Sequence, residues 1–527
     1  MKVTLLDYGA GNVRSVVNAL KALGAEVRPV ERPEDILSAE RLVFPGVGNF
    51  GSIMRALHER GFVEPLREYL RQNRPFLGIC LGLQVLFEGS EEAPGVAGLG
   101  VFPGFVRRFR VGLSVPHIGW NGVKARKPSP LFNGLSGEEK FYFVHSYYVE
   151  PADAGLVLTT TDYGLEFASA VQHGNIVAVQ FHPEKSGRAG LRFLQNFLEG
   201  ADKAVLPPKI PERTRLARRI IACLDVRSDD EGRLVVTKGL QYDVREGGRV
   251  RDMGDPVELA HRYYLEGADE ITFLNITGFR DFPLKDMPML EVLRRTSEKV
   301  FVPLTIGGGI RDFTDRDGTH YSALEVAGAY FRAGADKVSI GSDAVYIVEE
   351  YLKTGKASGK SSIETISRVY GRQAVVISID PKRCYVTSPS ETPHPVIETE
   401  IPGPNGERYC WFQCTVKGGR EVRDVDAVTL AKVCEELGAG EILLNSIDRD
   451  GTNQGYDLEL IRAVKEAVSI PVIASSGAGR VEHFYQVFAK TEAEAALAAG
   501  IFHRREVEIP EVKKYLHEKG IEVRPIS

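Results

Sequence analysis

The sequence predicts two α/β units in tandem: a mostly parallel sheet domain over residues 1–200, a linker over 201–215, and a (β/α)8 barrel over 216–527. Three observations carry this prediction. Residues 1–200 alternate short apolar runs such as VTLLDYG, RLVFPG and FLGIC with amphipathic stretches such as SVVNALKAL, the pattern of a sheet covered by helices. The stretch GADKAVLPPKIPERTR then breaks the periodicity with prolines and charges. Eight β-branched or apolar runs follow, at 219–226, 270–276, 302–308, 337–342, 374–380, 441–447, 471–477 and 495–502, most of them separated by helical patterns. Eight such units in about 300 residues fit a closed barrel with insertions. The extra residues sit mainly at 311–322, 353–363 and 384–411, and the last segment, rich in Pro, Thr and Glu, reads as a surface loop.

Composition narrows the function. A chain of 527 residues exceeds what one core supports, and 43% hydrophobic and 26% charged residues with a net charge of −5 describe a globular protein without the basic excess of a nucleic-acid binder. No apolar run reaches the ~18 residues of a membrane span. The start, MKVTLLDYGAGNV, has neither a signal peptide's apolar core nor a transit peptide's Arg and Ser content, so a cytoplasmic protein is expected. Six cysteines without a regular framework suggest reduced thiols. Cys410 and Cys414 form a C-x-x-x-C with no second ligand pair, and no metal is expected there.

In RPFLGICLGLQVLFEGSEE, residues 74–92, Cys80 lies between Gly78 and Gly82 where a strand should turn into a helix. Small flanking residues permit a tight turn that lifts the middle side chain off the sheet; a small buried hydrophobe is the structural alternative. A thiol nucleophile needs a base, and the base an orienting partner. AVQFHPEKS supplies His182 and Glu184, which with Cys80 make a triad in role. An acyl intermediate also needs an oxyanion hole, for which the N–H of Leu81 and the PGVG segment at 45–48, around Val47, are candidates.

The barrel repeats itself. IIACLDV (220–226) answers VVISIDP (375–381), GADEITFLN (267–275) answers GAGEILLNS (438–446), and IGGGIR (306–311) answers SSGAGR (475–480). Gly-rich loops at the C-terminal ends of barrel strands let backbone N–H groups approach a phosphate. Gly307 to Gly309 with Gly341 and Ser342 form one such pair; Gly477, Ala478 and Gly479 with Asp450 and Gly451 form the other, and Ala499 and Gly500 are counted to the same surface. A ligand with a phosphate at each end would lie across the mouth. Asp225 and Asp380 each close a strand at that face, placed for general acid–base work, with helix capping as the alternative.

These residues carry a resemblance. PGVGNFG, GICLGLQ and FHPEKS resemble class I glutamine amidotransferases, so the first domain is expected to be of the class I glutaminase type. RIIACLDV, DPVELA, TIGGGIRD, NSIDRDGT and SSGAGRVEHF resemble the cyclase of imidazole glycerol phosphate synthase, and the fused order resembles the bifunctional histidine-biosynthesis enzymes of fungi and plants. The resemblance implies hydrolysis of L-glutamine through a cysteinyl thioester. It also implies use of the ammonia on a bisphosphorylated aminoimidazole ribonucleotide, with no cofactor. Residue by residue it maps Cys80, His182 and Glu184 onto the triad and Gln84, His145, Ser146 and Tyr147 onto glutamine-holding positions. It maps Asp225 and Asp380 onto the cyclase acid/base pair, and Lys238 onto a substrate-contacting lysine. Ser476 and Asn275 depart from the commoner glycine and aspartate. With both activities on one chain, a monomer is expected.

Four charged residues, Arg219, Glu270, Lys337 and Glu441, open four barrel strands at the N-terminal face. Position alone suggests an ion-pair ring for stability; the resemblance maps them onto a gate through which ammonia passes between the domains. Two rival readings are a glutaminase–barrel pairing of the pyridoxal phosphate synthase type and a catalytically silent scaffold barrel.

Overall fold

The computed structural model describes the chain apart from residues 10, 201, 239–244, 277–283 and 527. The first half builds one large sheet. Five parallel strands run in the order Glu26–Pro29, Lys2–Leu5, Leu42–Gly46, Phe76–Cys80 and Ile176–Val179. Antiparallel strands Glu166–His173, Val157–Asp162 and Lys124–Ala125 extend it. LVFPG and FLGIC are buried along their whole length, as central parallel strands with both faces covered must be. A separate two-stranded sheet, His117–Gly122 with Lys140–His145, leaves this body and packs on the barrel. Its Ile118, Trp120 and Tyr142 belong to the barrel's own hydrophobic core, and the Trp120 indole N–H donates to the Asp269 carbonyl at 3.1 Å.

Each of the eight predicted runs coincides with one barrel strand, the first strand running two residues past its predicted end. In order they are Arg219–Ser228, Glu270–Asn275, Leu304–Gly307, Lys337–Ile340, Val375–Ile379, Glu441–Asn445, Val472–Ser475 and Ala495–Ala498, all parallel, and the first pairs with the last to close the ring. The pleat sorts their side chains. Ile220, Ala222 and Leu224 join the core beneath the helices, whereas Ile221 and Cys223 cluster inside the barrel with Val376, Leu443, Ile473 and Leu497.

The insertions are more ordered than their composition suggests. Residues 311–322 carry a small hairpin, Phe313–Thr314 with His320–Tyr321. The expected surface loop at 384–411 is corrected: its ends lie in a four-stranded sheet of Pro381–Val386, Ile397–Glu398, Tyr409–Val416 and Glu421–Asp426. The strands PKRCYV and YCWFQCTV bury Val386, Cys410, Trp411, Phe412 and Cys414. Arg383 anchors this sheet with a forked pair to Asp457 at 2.8 and 2.9 Å. Cys410 and Cys414 are buried free thiols in it.

Candidate active sites

Cys80 ends its strand with φ +57° and ψ −107°, a conformation costly for any residue with a Cβ. The flanking glycines make that turn possible by close packing. A Cβ on Gly82 would stand 2.1 Å from the Phe44 carbonyl oxygen, and one on Gly78 would stand 2.5 Å from the Gly82 carbonyl oxygen. The thiol is only 5% exposed because the barrel's N-terminal face covers it. It opens into a cavity of about 40 Å3 shared with Val47, Tyr142 and His182 and with Asp336 and Lys337 of the barrel.

His182 Nδ1 meets Glu184 Oε1 at 2.8 Å. Burial is the largest influence on this ring and opposes its charge, but Glu184 and Cys80 outweigh it and hold His182 well above the usual histidine range. The three predicted triad residues are therefore together. Around them runs a chain of amides: Gln180 Nε2 donates to Cys80 Sγ at 3.4 Å, and Gln84 Nε2 donates to Gln180 Oε1 and to the Tyr147 carbonyl, both at 3.1 Å. His145, pushed down to about 3 by burial, is neutral and pairs with the Tyr147 carbonyl at 2.7 Å and with His117 at 2.9 Å. Ser146 Oγ and Gln84 Oε1 are buried without a hydrogen-bond partner among the described residues, as groups awaiting a ligand would be. Leu81 opens a short helix, so its N–H has no intrahelical acceptor. The N–H of Val47, the other oxyanion candidate, is donated to Tyr8 Oη at 2.8 Å.

At the other end of the barrel, Lys238 Nζ lies 3.5 Å from both Asp225 and Asp450. Residues 239–244, which follow Lys238 and belong to the loop expected there, lie outside the described residues. Burial opposes the ammonium most, yet Asp225 and Asp450 raise Lys238 above its ordinary value. Burial raises Asp225, with Lys238 pulling the other way. Asp380 is pushed up to about 6 by burial, against a 2.8 Å hydrogen bond donated by Asn445 Nδ2. The second-half residues Asp450, Gly451, Gly477, Ala478, Ala499 and Gly500 line one cleft of about 620 Å3 with Lys238. In the first half a Cβ on Gly309 or on Gly341 would meet nothing within 4 Å, so both face open space, and Ser342 Oγ accepts the Lys417 N–H at 3.0 Å. Asn275 is half-buried at its strand end, and Ser476 takes φ +77°.

Between the two sites lies the ring. Arg219 pairs with Glu270 at 2.8 Å and Glu441 at 2.5 Å, and Lys337 pairs with the same two carboxylates at 2.6 and 3.0 Å. All four residues are at most 1% exposed. Burial opposes the Glu270 carboxylate most, but Arg219 and Lys337 hold it below its usual range. Tyr142 Oη donates to Glu270 at 3.2 Å, and the Tyr142 carbonyl accepts the His182 N–H at 2.9 Å.

Residues 4–201 match the family described as glutamine amidotransferase class-I, and residues 219–508 match the one described as histidine biosynthesis protein. The chain is 58% identical to imidazole glycerol phosphate synthase hisHF, chloroplastic, of Arabidopsis thaliana, over 99% of this chain and 89% of the relative. It is 57% identical to imidazole glycerol phosphate synthase hisHF of Schizosaccharomyces pombe, over 99% of this chain and all of the relative. The HisF subunit of the same synthase from Methanosphaera stadtmanae matches 59% of this chain at 46% identity. The chain belongs to the hisHF imidazole glycerol phosphate synthase family.

Membership in that family decides against the pyridoxal phosphate synthase type of pairing. Four residues beside these sites were not singled out in the sequence. Glu92, in the same stretch as Cys80, has its carboxyl pushed up to about 7 by burial and, among the described residues, accepts only the Phe50 N–H, at 3.3 Å. Its signal was local: an acid twelve residues after a candidate nucleophile. Asn445, Gln180 and Tyr142 carried no such signal, because each hydrogen-bonds a residue distant in sequence, Asp380, Cys80 and Glu270 in turn. Among the described residues no group of three or more His, Cys, Asp or Glu is placed to hold a metal ion, and no helix is long and apolar enough to cross a membrane.

Proposed function

We propose that residues 1–200, joined through 201–215 to the barrel of 216–527, hydrolyse L-glutamine and that the barrel uses the ammonia. Its other substrate is a phosphoribulosyl-formimino aminoimidazole carboxamide ribonucleotide with two phosphates, and its products are imidazole glycerol phosphate and the aminoimidazole carboxamide ribotide. Cys80 Sγ attacks the glutamine carboxamide carbon; His182, oriented by Glu184, takes the thiol proton and passes it to the departing ammonia. Water then cleaves the thioester, with His182 as base, releasing glutamate. The N–H of Leu81 faces the developing oxyanion, and that of Val47 joins it once Tyr8 lets go. Asp225 and Asp380, with unequal environments, exchange protons with the ligand during addition and ring closure, and Lys238 neutralises charge beside Asp225. Gly309, Gly341 and Ser342 would seat one phosphate; Gly451, Gly477, Ala478, Ala499 and Gly500 would seat the other.

The observation that carries this reading is the shared cavity: Cys80 and His182 on one side face Lys337 of the ring on the other. Ammonia released there has the barrel interior ahead of it. Assaying glutamate and imidazole glycerol phosphate together, with and without the bisphosphate, tests the reading; glutamate release that ignores the bisphosphate, with no cyclised product, would contradict it. Both activities on one chain support a monomer, which sedimentation tests. Six free cysteines support a reducing compartment, which we take to be the cytoplasm, although the Arabidopsis relative carries a chloroplast name; fractionation distinguishes the two.

A further inference from the structure

Arg504 stands four residues beyond Gly500, at the end of the turn that follows the eighth strand. Its side chain folds back over that turn: a Cβ on Gly500 would lie 2.7 Å from Nη1 and 3.3 Å from Cζ and Nη2. Glu506 fixes the plane of the guanidinium, accepting from Nε at 2.6 Å and from Nη2 at 3.2 Å. The Nε/Nη2 edge of the fork is thereby engaged. Nη1 has no partner among the described residues and faces the same cleft as Gly477 and Gly500. An arginine held along one edge by a carboxylate and open at Nη1 is preorganised for an oxyanion, since less rotamer freedom is left to lose when the open end is engaged.

The pseudo-repeat makes the placement informative. Counting from the last residue of each strand, Ile340 and Ala498, the first-half counterpart of Arg504 is Tyr346. There the nearby guanidinium, Arg423 over the Tyr346 ring at 5.4 Å, is already paired on both sides with Glu349 and Glu421. The two phosphate cradles are therefore alike in backbone and unlike in cation. A ligand with a phosphate at each end could enter a symmetric mouth in two directions, and one extra open N–H edge distinguishes them.

We propose that Arg504, oriented by Glu506, binds the phosphate resting on the second-half loops and so sets which way round the bisphosphate lies. This rests on the two-phosphate substrate inferred above. The test uses the full chain and ammonia-dependent synthesis, with the two monophosphate products as separate inhibitors, because each carries one of the two phosphates. In Arg504→Ala the inhibition constant of one product should rise roughly tenfold or more, the loss of a charge-assisted bond, while that of the other changes by less than about twofold. KM for the bisphosphate should rise more than kcat falls. Arg504→Lys and Glu506→Gln should fall between, since a point charge or an unfixed fork keeps attraction but loses direction. Equal weakening of both products, or of neither, overturns the proposal. If the wild-type chain makes no product from ammonium and the bisphosphate, the functional reading fails by itself. Phosphorus NMR titration with inorganic phosphate then decides on Arg504: binding roughly tenfold weaker in Arg504→Ala supports it, and equal binding overturns it.

Discussion

The Tyr8 hydroxyl holds both main-chain polar atoms of Val47, donating to its carbonyl oxygen at 2.6 Å and accepting its N–H at 2.8 Å. Tyr8 is itself buried and packs edge-on against Phe44. The loop is pinned from the barrel side as well, where a Cβ on Gly48 would lie 2.9 Å from the Val369 carbonyl oxygen. If the Val47 N–H is an oxyanion donor, as proposed, Tyr8 withholds it from the chemistry at Cys80, and such a donor is worth about 10²–10³ in rate. Tyr8→Phe should therefore raise glutamate release in the absence of any barrel ligand, by roughly tenfold if part of that gain is realised. It should also cost about 1–2 kcal/mol of stability, because a buried carbonyl loses its donor. Basal hydrolysis that does not rise would mean that Tyr8 only supports the fold.

Cys80→Ala should abolish glutamine-dependent synthesis and spare synthesis from high concentrations of ammonium, because the thiol serves only ammonia release. The readout is imidazole glycerol phosphate formed from each nitrogen source. Failure with ammonium as well would make the two sites inseparable.

The Asp380 carboxyl, pushed up to about 6 in the fold from 3.8, gives a prediction with a sign. It binds its proton more tightly folded than unfolded, so the stability it lends below its unfolded value is lost as the pH rises through about 6. Asp380→Asn cannot ionise and escapes that loss. The variant should therefore be more stable than the parent near pH 8, by on the order of 2 kcal/mol, with the difference shrinking toward about pH 4. Its cyclisation should fall roughly 10²-fold from either nitrogen source. Thermal melts across this pH range check the first statement and ammonium-dependent turnover the second. A variant equally stable at every pH would mean that Asp380 is not held protonated by its surroundings.

Much of this was legible in the sequence, and the limits have a physical reason. The eight strands could be read because each is a short β-branched or apolar run, most of them separated by helical patterns, and the candidate triad because Cys80 is marked by its glycines and His182 sits two residues from Glu184. The bond from Tyr8 to Val47 spans 39 residues, and the hydrogen bond from Asn445 to Asp380 spans 65. Neither leaves a periodic trace. The sheet around Tyr409–Val416 was hidden differently: the Pro, Thr and Glu of residues 387–408 swamped the short apolar stretches in the strands on either side.

Lys337→Ala should uncouple the sites. It leaves Glu270 and Glu441 sharing Arg219 alone, an unbalanced buried charge that should cost about 3–5 kcal/mol and open the ring to water. Glutamate formed per imidazole glycerol phosphate should rise above one, while synthesis from added ammonium is retained. A ratio that stays at one in Lys337→Ala and in Arg219→Ala would leave the four charges as an ion-pair ring and no gate.

Transfer of ammonia through the barrel is tested most directly by isotope competition. Glutamine labelled with nitrogen-15 in its amide is supplied to the wild-type chain with the bisphosphate and an excess of unlabelled ammonium, at a pH where free ammonia is scarce, and the imidazole nitrogen of the product is analysed by mass spectrometry. Passage from Cys80 past Lys337 to Asp225 and Asp380 without exchange predicts label in the product close to that in the glutamine. Label diluted in proportion to the added ammonium would contradict it, because the ammonia would then have left the protein between the two sites.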